Sequence, residues 1–134
     1  MLFSIIIPAF NAEKYLCDSL ESVRAQTFTD YEIIIVNDGS TDKTRQIADS
    51  FAEKNSQTHV IHQKNEGPLL ARRVGLQAAS GKYAVFLDAD DALCSTALRD
   101  IADVIHKYNV DIVSFRYSRQ DNFLTSDSPS PLAV

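Results

Sequence analysis

Tyr31-Glu32-Ile33-Ile34-Ile35-Val36-Asn37-Asp38-Gly39-Ser40-Thr41-Asp42 is the stretch that decides the fold. Ile33 to Val36 is apolar without interruption. A strand with one wet face alternates, whereas a continuous run reads as a strand covered on both faces. Tyr31 to Asn37 is therefore expected as a buried strand. Asp38-Gly39 is a turn signal, and Ser40 or Thr41 can cap the helix expected from about Asp42 to Lys54. Strand, turn and helix make half of a βαβ unit. The alternation repeats outward. Phe3 to Ile7 reads as a first strand stopped by Pro8, and Ala12 to Gln26 as a helix. Leu16, Leu20 and Val23 share one face of that helix, and Asn11 is its expected N-cap. His59 to Gln63 is a weak third strand and Pro68 to Ala79 a third helix. Tyr83 to Leu87 is a fourth strand, Ser95 to Lys107 a fourth helix, and Asp111 to Arg116 a fifth strand. The expected fold is α/β: a three-layer α/β/α arrangement around an open, mostly parallel sheet.

The chain has 134 residues, enough for one domain with a sizeable core. It is 45% hydrophobic and 23% charged, which argues against wholesale disorder. Residues 1–117 are read as the folded part. Residues 118–134, rich in Ser, Asp and Pro, are expected to form a disordered tail. No apolar run approaches the roughly 20 residues that a membrane helix needs. Met1-Leu2-Phe3 begins no basic leader, so the cytosol is the expected compartment. Two cysteines, Cys17 and Cys94, make neither a disulfide framework nor a zinc site. Thirteen basic against eighteen acidic residues leave a net charge of −5, which argues against nucleic acid as a partner.

Ligands of open α/β sheets bind beyond the carboxyl ends of the strands. Pro8-Ala9-Phe10-Asn11, Asn37-Asp38-Gly39-Ser40 and Asp88-Ala89-Asp90-Asp91 follow the first, second and fourth strands. Parallel strands would bring these segments to one edge. Asp88, Asp90 and Asp91 lie within four residues. At about 4 Å and an effective dielectric near 20, each such pair costs on the order of 4 kcal/mol. A divalent cation would remove that cost, and an oxygen-only donor set favours Mg²⁺ or Mn²⁺. The simpler alternative is that these carboxylates are solvated and begin the next helix. Asp38 either accepts from a ligand N–H or simply belongs to a turn. Phe10 either stacks on a flat ring or sits in the core. Arg72 and Arg73, adjacent on a helix, cannot face the same way, so one of them could hold a phosphate. His59 and His62 form no cluster and carry no assigned role. The glycines, Gly39, Gly67, Gly75 and Gly81, spell no G-x-G-x-x-G, and the Gly75 to Tyr83 segment fails as a P-loop.

Four segments, in order, resemble glycosyltransferase family 2. They are Ser4-Ile5-Ile6-Ile7-Pro8-Ala9-Phe10-Asn11 and Ile35-Val36-Asn37-Asp38-Gly39-Ser40-Thr41-Asp42, then Asn65-Glu66-Gly67 leading to Ala71-Arg72, and Gly81-Lys82-Tyr83 leading to Phe86-Leu87-Asp88-Ala89-Asp90-Asp91. The resemblance implies the GT-A fold and an inverting transfer from a nucleotide-diphosphate sugar, UDP-linked on family frequency, to a hydroxyl of a glycan or lipid-linked acceptor. It implies that Pro8, Ala9, Phe10, Asp38 and Arg72 hold the nucleotide. Asp88-Ala89-Asp90 matches the family's D-x-D motif. Asp90 would bind the cation, with Asp88 and Asp91 as further candidates, and Asp88 would lie near the ribose or sugar.

There are departures. Arg73 stands where the family often has Asn, and Pro68-Leu69-Leu70 is bulkier than usual. No residue matches the family's general base. The chain is therefore expected to be the donor-binding half of a truncated domain, placed at the cytosolic face of a membrane in a full-length protein. A sheet edge left open would favour self-association. The competing readings are a nucleotide-sugar-binding module without chemistry, a receiver-type domain, which lacks its acidic pair after the first strand, and a nucleotidyltransferase, which lacks its glycine-rich first loop.

Overall fold

A computed structural model of the chain describes residues 1–114. Four strands and four helices alternate: β1 (Phe3–Ala9), α1 (Leu16–Arg24), β2 (Tyr31–Asp38), α2 (Thr44–Lys54), β3 (Thr58–Gln63), α3 (Pro68–Ala78), β4 (Tyr83–Phe86) and α4 (Ala97–Tyr108). The strand order is β3-β2-β1-β4, and every pair is parallel. Ile5 of β1 lies opposite Ile33 on one side and Val85 on the other.

Both faces of the sheet are covered, as the uninterrupted run in β2 required. Neighbouring residues of a strand point to opposite faces. Ile5, Ile7, Ile33, Ile35 and Val85 meet Leu16, Leu20 and Val23 of α1 and Leu98, Ile101 and Ile105 of α4 in the larger core. Ile34 and Val36 meet Ala71 and Val74 of α3 on the other face. α3 lies close because position 75 is glycine: a Cβ there would come 2.4 Å from Cγ2 of Ile6.

A buried carboxylate ties the amino end of the sheet together. Oε1 of Glu32 accepts from the Ser4 hydroxyl at 2.6 Å and the Ser80 amide at 2.7 Å, and the Gly81 amide donates to Ser4 Oγ at 2.8 Å. The α3–β4 connection is thereby fixed to β1 and β2.

The starts of α1, α2 and α4 differ from expectation, and the amides there find their partners in different places. α1 begins at Leu16 rather than Ala12, and Asn11 does not cap it. Asn11 sits at φ 47° with its Oδ1 accepting from the Thr41 amide at 2.8 Å. The Ala12 and Glu13 amides are taken instead by Thr44 Oγ1 at 2.8 Å and Asp42 Oδ2 at 3.1 Å. α2 begins at Thr44, whose amide donates to Asp42 Oδ1 at 2.9 Å, rather than behind Ser40 or Thr41. α4 begins at Ala97, and Gln26 Oε1 accepts from the Leu98 amide at 3.0 Å. The expected fifth strand is not formed at residues 111–114, and the rest of it lies outside the described residues, as does the expected tail at 118–134.

Candidate functional site

β2 and β3 extend the sheet on one side of β1, and β4 lies on the other. The direction of winding therefore reverses between β1 and β4. The carboxyl ends at such a reversal leave a crevice, because the two connections leave in opposite directions. A cleft of about 580 Å³ occupies that place. Its lining comes from the β1 exit (Pro8, Ala9, Phe10, Asn11), from Asp38, from the start of α3 (Gly67, Pro68, Ala71, Arg72) and from the β4 exit (Asp88, Ala89, Asp90). All eight residues expected to hold a nucleotide-sugar are among these. Asp91 is not.

The β1 exit is laced to the β2 exit. The Asn11 amide donates to Ser40 Oγ at 3.0 Å and the Lys43 amide to Glu13 Oε2 at 3.0 Å. With the Asn11–Thr41 bond, these contacts fix the backbone after Phe10, and the pairing of Ala9 with Asn37 fixes it before. Phe10 is 51% exposed, so its ring is free of the core.

Asp38 is only 3% exposed. It accepts from Gln63 Nε2 at 2.8 Å, the Glu66 amide at 2.9 Å and the Gly67 amide at 2.9 Å. A carboxylate offers about four acceptor positions, so one is left for anything in the cleft. Gly39 completes this corner. It sits at φ +71°, and a Cβ there would lie 2.5 Å from the Asn65 amide nitrogen. Asn65 and Gly67 line the cleft although their side chains announced no chemistry. Their contribution is the backbone of the β3–α3 connection, and the segment Asn65-Glu66-Gly67 was its only signal.

Among the described residues, Arg72 is the one basic residue lining the cleft, and it is ion-paired to Asp88 Oδ1. Arg73 lies next to it on α3, is exposed, and is not part of the lining. The carboxyl of Asp91 is held above the ordinary range, first by burial and then by the charges of Asp90 and Asp88. Negative charge is therefore concentrated at the β4 exit beyond what Arg72 offsets. Among the described residues, no three His, Cys, Asp or Glu side chains converge as a metal-ligand set. Also among them, no helix is long and apolar enough to cross a membrane, and Cys17 and Cys94 are free thiols.

Comparison with known proteins gives a consistent answer. A sequence model of the family described as glycosyl transferase family 2 matches residues 4–131. The uncharacterized glycosyltransferase EpsJ of Bacillus subtilis is 36% identical over 121 residues, covering 90% of this chain and 35% of that protein. The poly(ribitol-phosphate) beta-N-acetylglucosaminyltransferase TarS of Staphylococcus aureus is 35% identical over 116 residues, covering 84% of this chain and 20% of TarS. The crystal structure of TarS 1-349 in complex with UDP-GlcNAc matches with a TM-score of 0.76 and 35% identity, over 81% of this chain and 32% of that one. The chain thus spans about a third or less of the length of these relatives. Its parallel sheet, order and covering helices are those of the GT-A fold, and the chain belongs to glycosyl transferase family 2.

Proposed function

We propose that this chain carries the donor site of an inverting glycosyltransferase, which moves a sugar from a UDP-linked donor to a hydroxyl of a glycan or lipid-linked acceptor. One observation carries the reading: residues from the exits of β1, β2 and β4 and the start of α3 line a single cleft where the sheet reverses its winding. The UDP-GlcNAc in the TarS structure supports a nucleotide-sugar as the occupant. Half-exposed Phe10 and Pro8 offer an apolar wall for the base, and Asp38 has one acceptor position left for a base or ribose donor. Arg72 brings a planar fork that suits a phosphate. Asp88 would face the ribose or sugar.

The donor set fits a hard cation. Its groups are carboxylate oxygens, and fewer than three converge. Mg²⁺ and Mn²⁺ accept such sites by taking further oxygens from phosphates and water. Asp90 would be the protein ligand, with Asp88 and Asp91 adding charge beside it. The bound cation supplies positive charge that stabilises a departing diphosphate.

A second reading, a nucleotide-sugar-binding module without transfer, is favoured by one observation. Among the described carboxylates lining the cleft, Asp38 holds the β3–α3 connection and Asp88 pairs with Arg72. That leaves Asp90, which the first reading gives to the cation, so the lining offers no separate general base.

The test is calorimetry and thermal shift with UDP, GDP, CDP and dTDP, each with Mn²⁺, Mg²⁺ or EDTA, on wild type and Asp90→Ala. A ligand at 100 times its dissociation constant stabilises by about 2.7 kcal/mol. Metal-dependent stabilisation by UDP, lost in Asp90→Ala, is the expected result. A folded chain that binds none of the four nucleotides overturns the proposal. Donor turnover that Asp90→Ala abolishes separates the transferase from the binding module.

A further inference from the structure

We infer that His62 is a positioning residue for this cleft: its unprotonated Nδ1 holds the Asn37 side-chain amide, and through it the turn that frames the cleft, so that protonating His62 weakens donor binding. The geometry stands by itself, while the consequence for binding rests on the nucleotide-sugar reading above.

His62 lies at the end of β3, outside the cleft lining. Its Nδ1 is 3.1 Å from Asn37 Nδ2, and its Nε2 is 2.9 Å from Asp49 Oδ1 on α2. The orientation of the Asn37 amide is fixed independently, because its Oδ1 accepts from the Ser40 amide at 3.3 Å. Its NH₂ group must then face His62, and Nδ1 must be the acceptor. The ring proton is left on Nε2, where Asp49 receives it. The two partners together select one neutral tautomer.

A second proton on the ring has to go to Nδ1. There it meets the Asn37 NH₂, donor against donor. Asn37 is 4% exposed, so water cannot take up the mismatch. The amide turns over, gives its oxygen to His62, and releases the Ser40 N–H. Ser40 is also the residue whose hydroxyl receives the Asn11 amide beside Phe10. Asn37 precedes Asp38, which holds the other side of the cleft. One proton at His62 therefore loosens the join between the β1 and β2 exits.

The charged groups around the ring do not prevent this. On α2, Asp49 faces Nε2, and Arg45 stands 3.8 Å from the other oxygen of Asp49. On β2, the partner is the uncharged Asn37, and Asp38 engages Gln63 and the 66–67 amides instead. On β3 itself, His59 is turned to Glu32. The Asn37 amide is therefore the partner of the ring that cannot accommodate a proton on Nδ1.

The test uses the full 134-residue chain and UDP-GlcNAc, whose diphosphate diester does not ionise between pH 5.5 and 7.5. Wild type is expected to bind about tenfold more weakly at pH 5.5 than at pH 7.5, within the usual range of coupling between two sites. His62→Asn leaves a non-titrating amide near Nδ1 and is expected to bind equally at both pH values. In ligand-free protein, the Ser40 amide resonance should titrate with the His62 ring in wild type and stay still in His62→Asn. Equal pH dependence in wild type and His62→Asn overturns the role, and so does a Ser40 amide that ignores the His62 titration. If UDP-GlcNAc binds at neither pH, the nucleotide-sugar reading falls, and the Ser40 resonance still decides the role of His62.

Discussion

The backbone amide of Gly67 donates to Oδ2 of Asp38 at 2.9 Å, across 29 positions of sequence. With Oδ1 taking the neighbouring Glu66 amide, the carboxylate holds the two amides that lead into α3, which begins at Pro68. Asp38→Asn keeps the shape but turns an NH₂ toward an N–H. A buried donor left without an acceptor costs about 1–3 kcal/mol. The expected outcome is a loss of that size in urea unfolding, with faster hydrogen exchange at Glu66 and Gly67. Unchanged exchange at both amides would show that the carboxylate does not hold this loop.

Glu32 should make the fold acid-sensitive. Burial opposes its charge, but hydrogen bonds from Ser4, Ser80 and Gly81, with His59 nearby, outweigh burial and hold its pKa below the ordinary 4.5. The folded state therefore favours the ionised form more than the unfolded chain does. That stability is fully present above the unfolded value and is lost as pH falls through the lower folded value. Glu32→Gln gives up charge-assisted bonds and should cost about 1–2 kcal/mol at pH 7. The gap to wild type should narrow as pH falls below 4.5 and close below the folded value. A gap that persists there would place the effect in packing instead of charge.

What the chain discloses about itself depends on how local each cause is. β1, β2 and β4 are legible because apolar runs such as Ile5-Ile6-Ile7 and Ile33 to Val36 need no partner to be read. The parallel order follows from the intervening helices. The start of α1 is not legible, since the Ala12 and Glu13 amides ahead of it go to Thr44 and Asp42 at the start of α2, while Asn11 spends its side chain on Thr41. Likewise Gln26 serves α4 across 72 positions. In the cleft, Asp88 and Asp90 are legible because they follow a strand directly. Asn65 and Gly67 are legible only as part of the segment Asn65-Glu66-Gly67, because their side chains carry no chemistry that the sequence could flag. His62 gave no signal, because Asn37 and Asp49 lie 25 and 13 positions away.

Gly75→Ala should destabilise, against the usual trend. Replacing glycine inside a helix ordinarily gains up to about 1 kcal/mol. Here the new methyl would lie 2.4 Å from Ile6 Cγ2 and 3.3 Å from Val36 Cγ2, in the layer where α3 meets the sheet. Overpacking of this kind costs about 1–3 kcal/mol and exceeds the helix gain. The melting temperature should fall. A rise would mean that α3 can lift from the sheet at little cost.

Arg72 and Asp88 offer the sharpest separation of stability from binding. Their pair is open to solvent, with side chains 35% and 50% exposed, so it contributes at most about 1 kcal/mol to folding. Yet among the described residues Arg72 is the only basic group lining a cleft that also holds Asp38, Asp88 and Asp90. Arg72→Ala should therefore leave the melting temperature nearly unchanged and weaken UDP binding about tenfold, as expected for one lost charge-assisted contact. Arg72→Lys should recover only part of that loss, because an ammonium cannot make the planar two-point contact of a guanidinium. Calorimetry on the three proteins, with the metal concentration fixed, decides the matter. If Arg72→Ala lowers the melting temperature by several degrees while UDP affinity holds, the side chain is a clasp for the β4 exit and not a phosphate ligand.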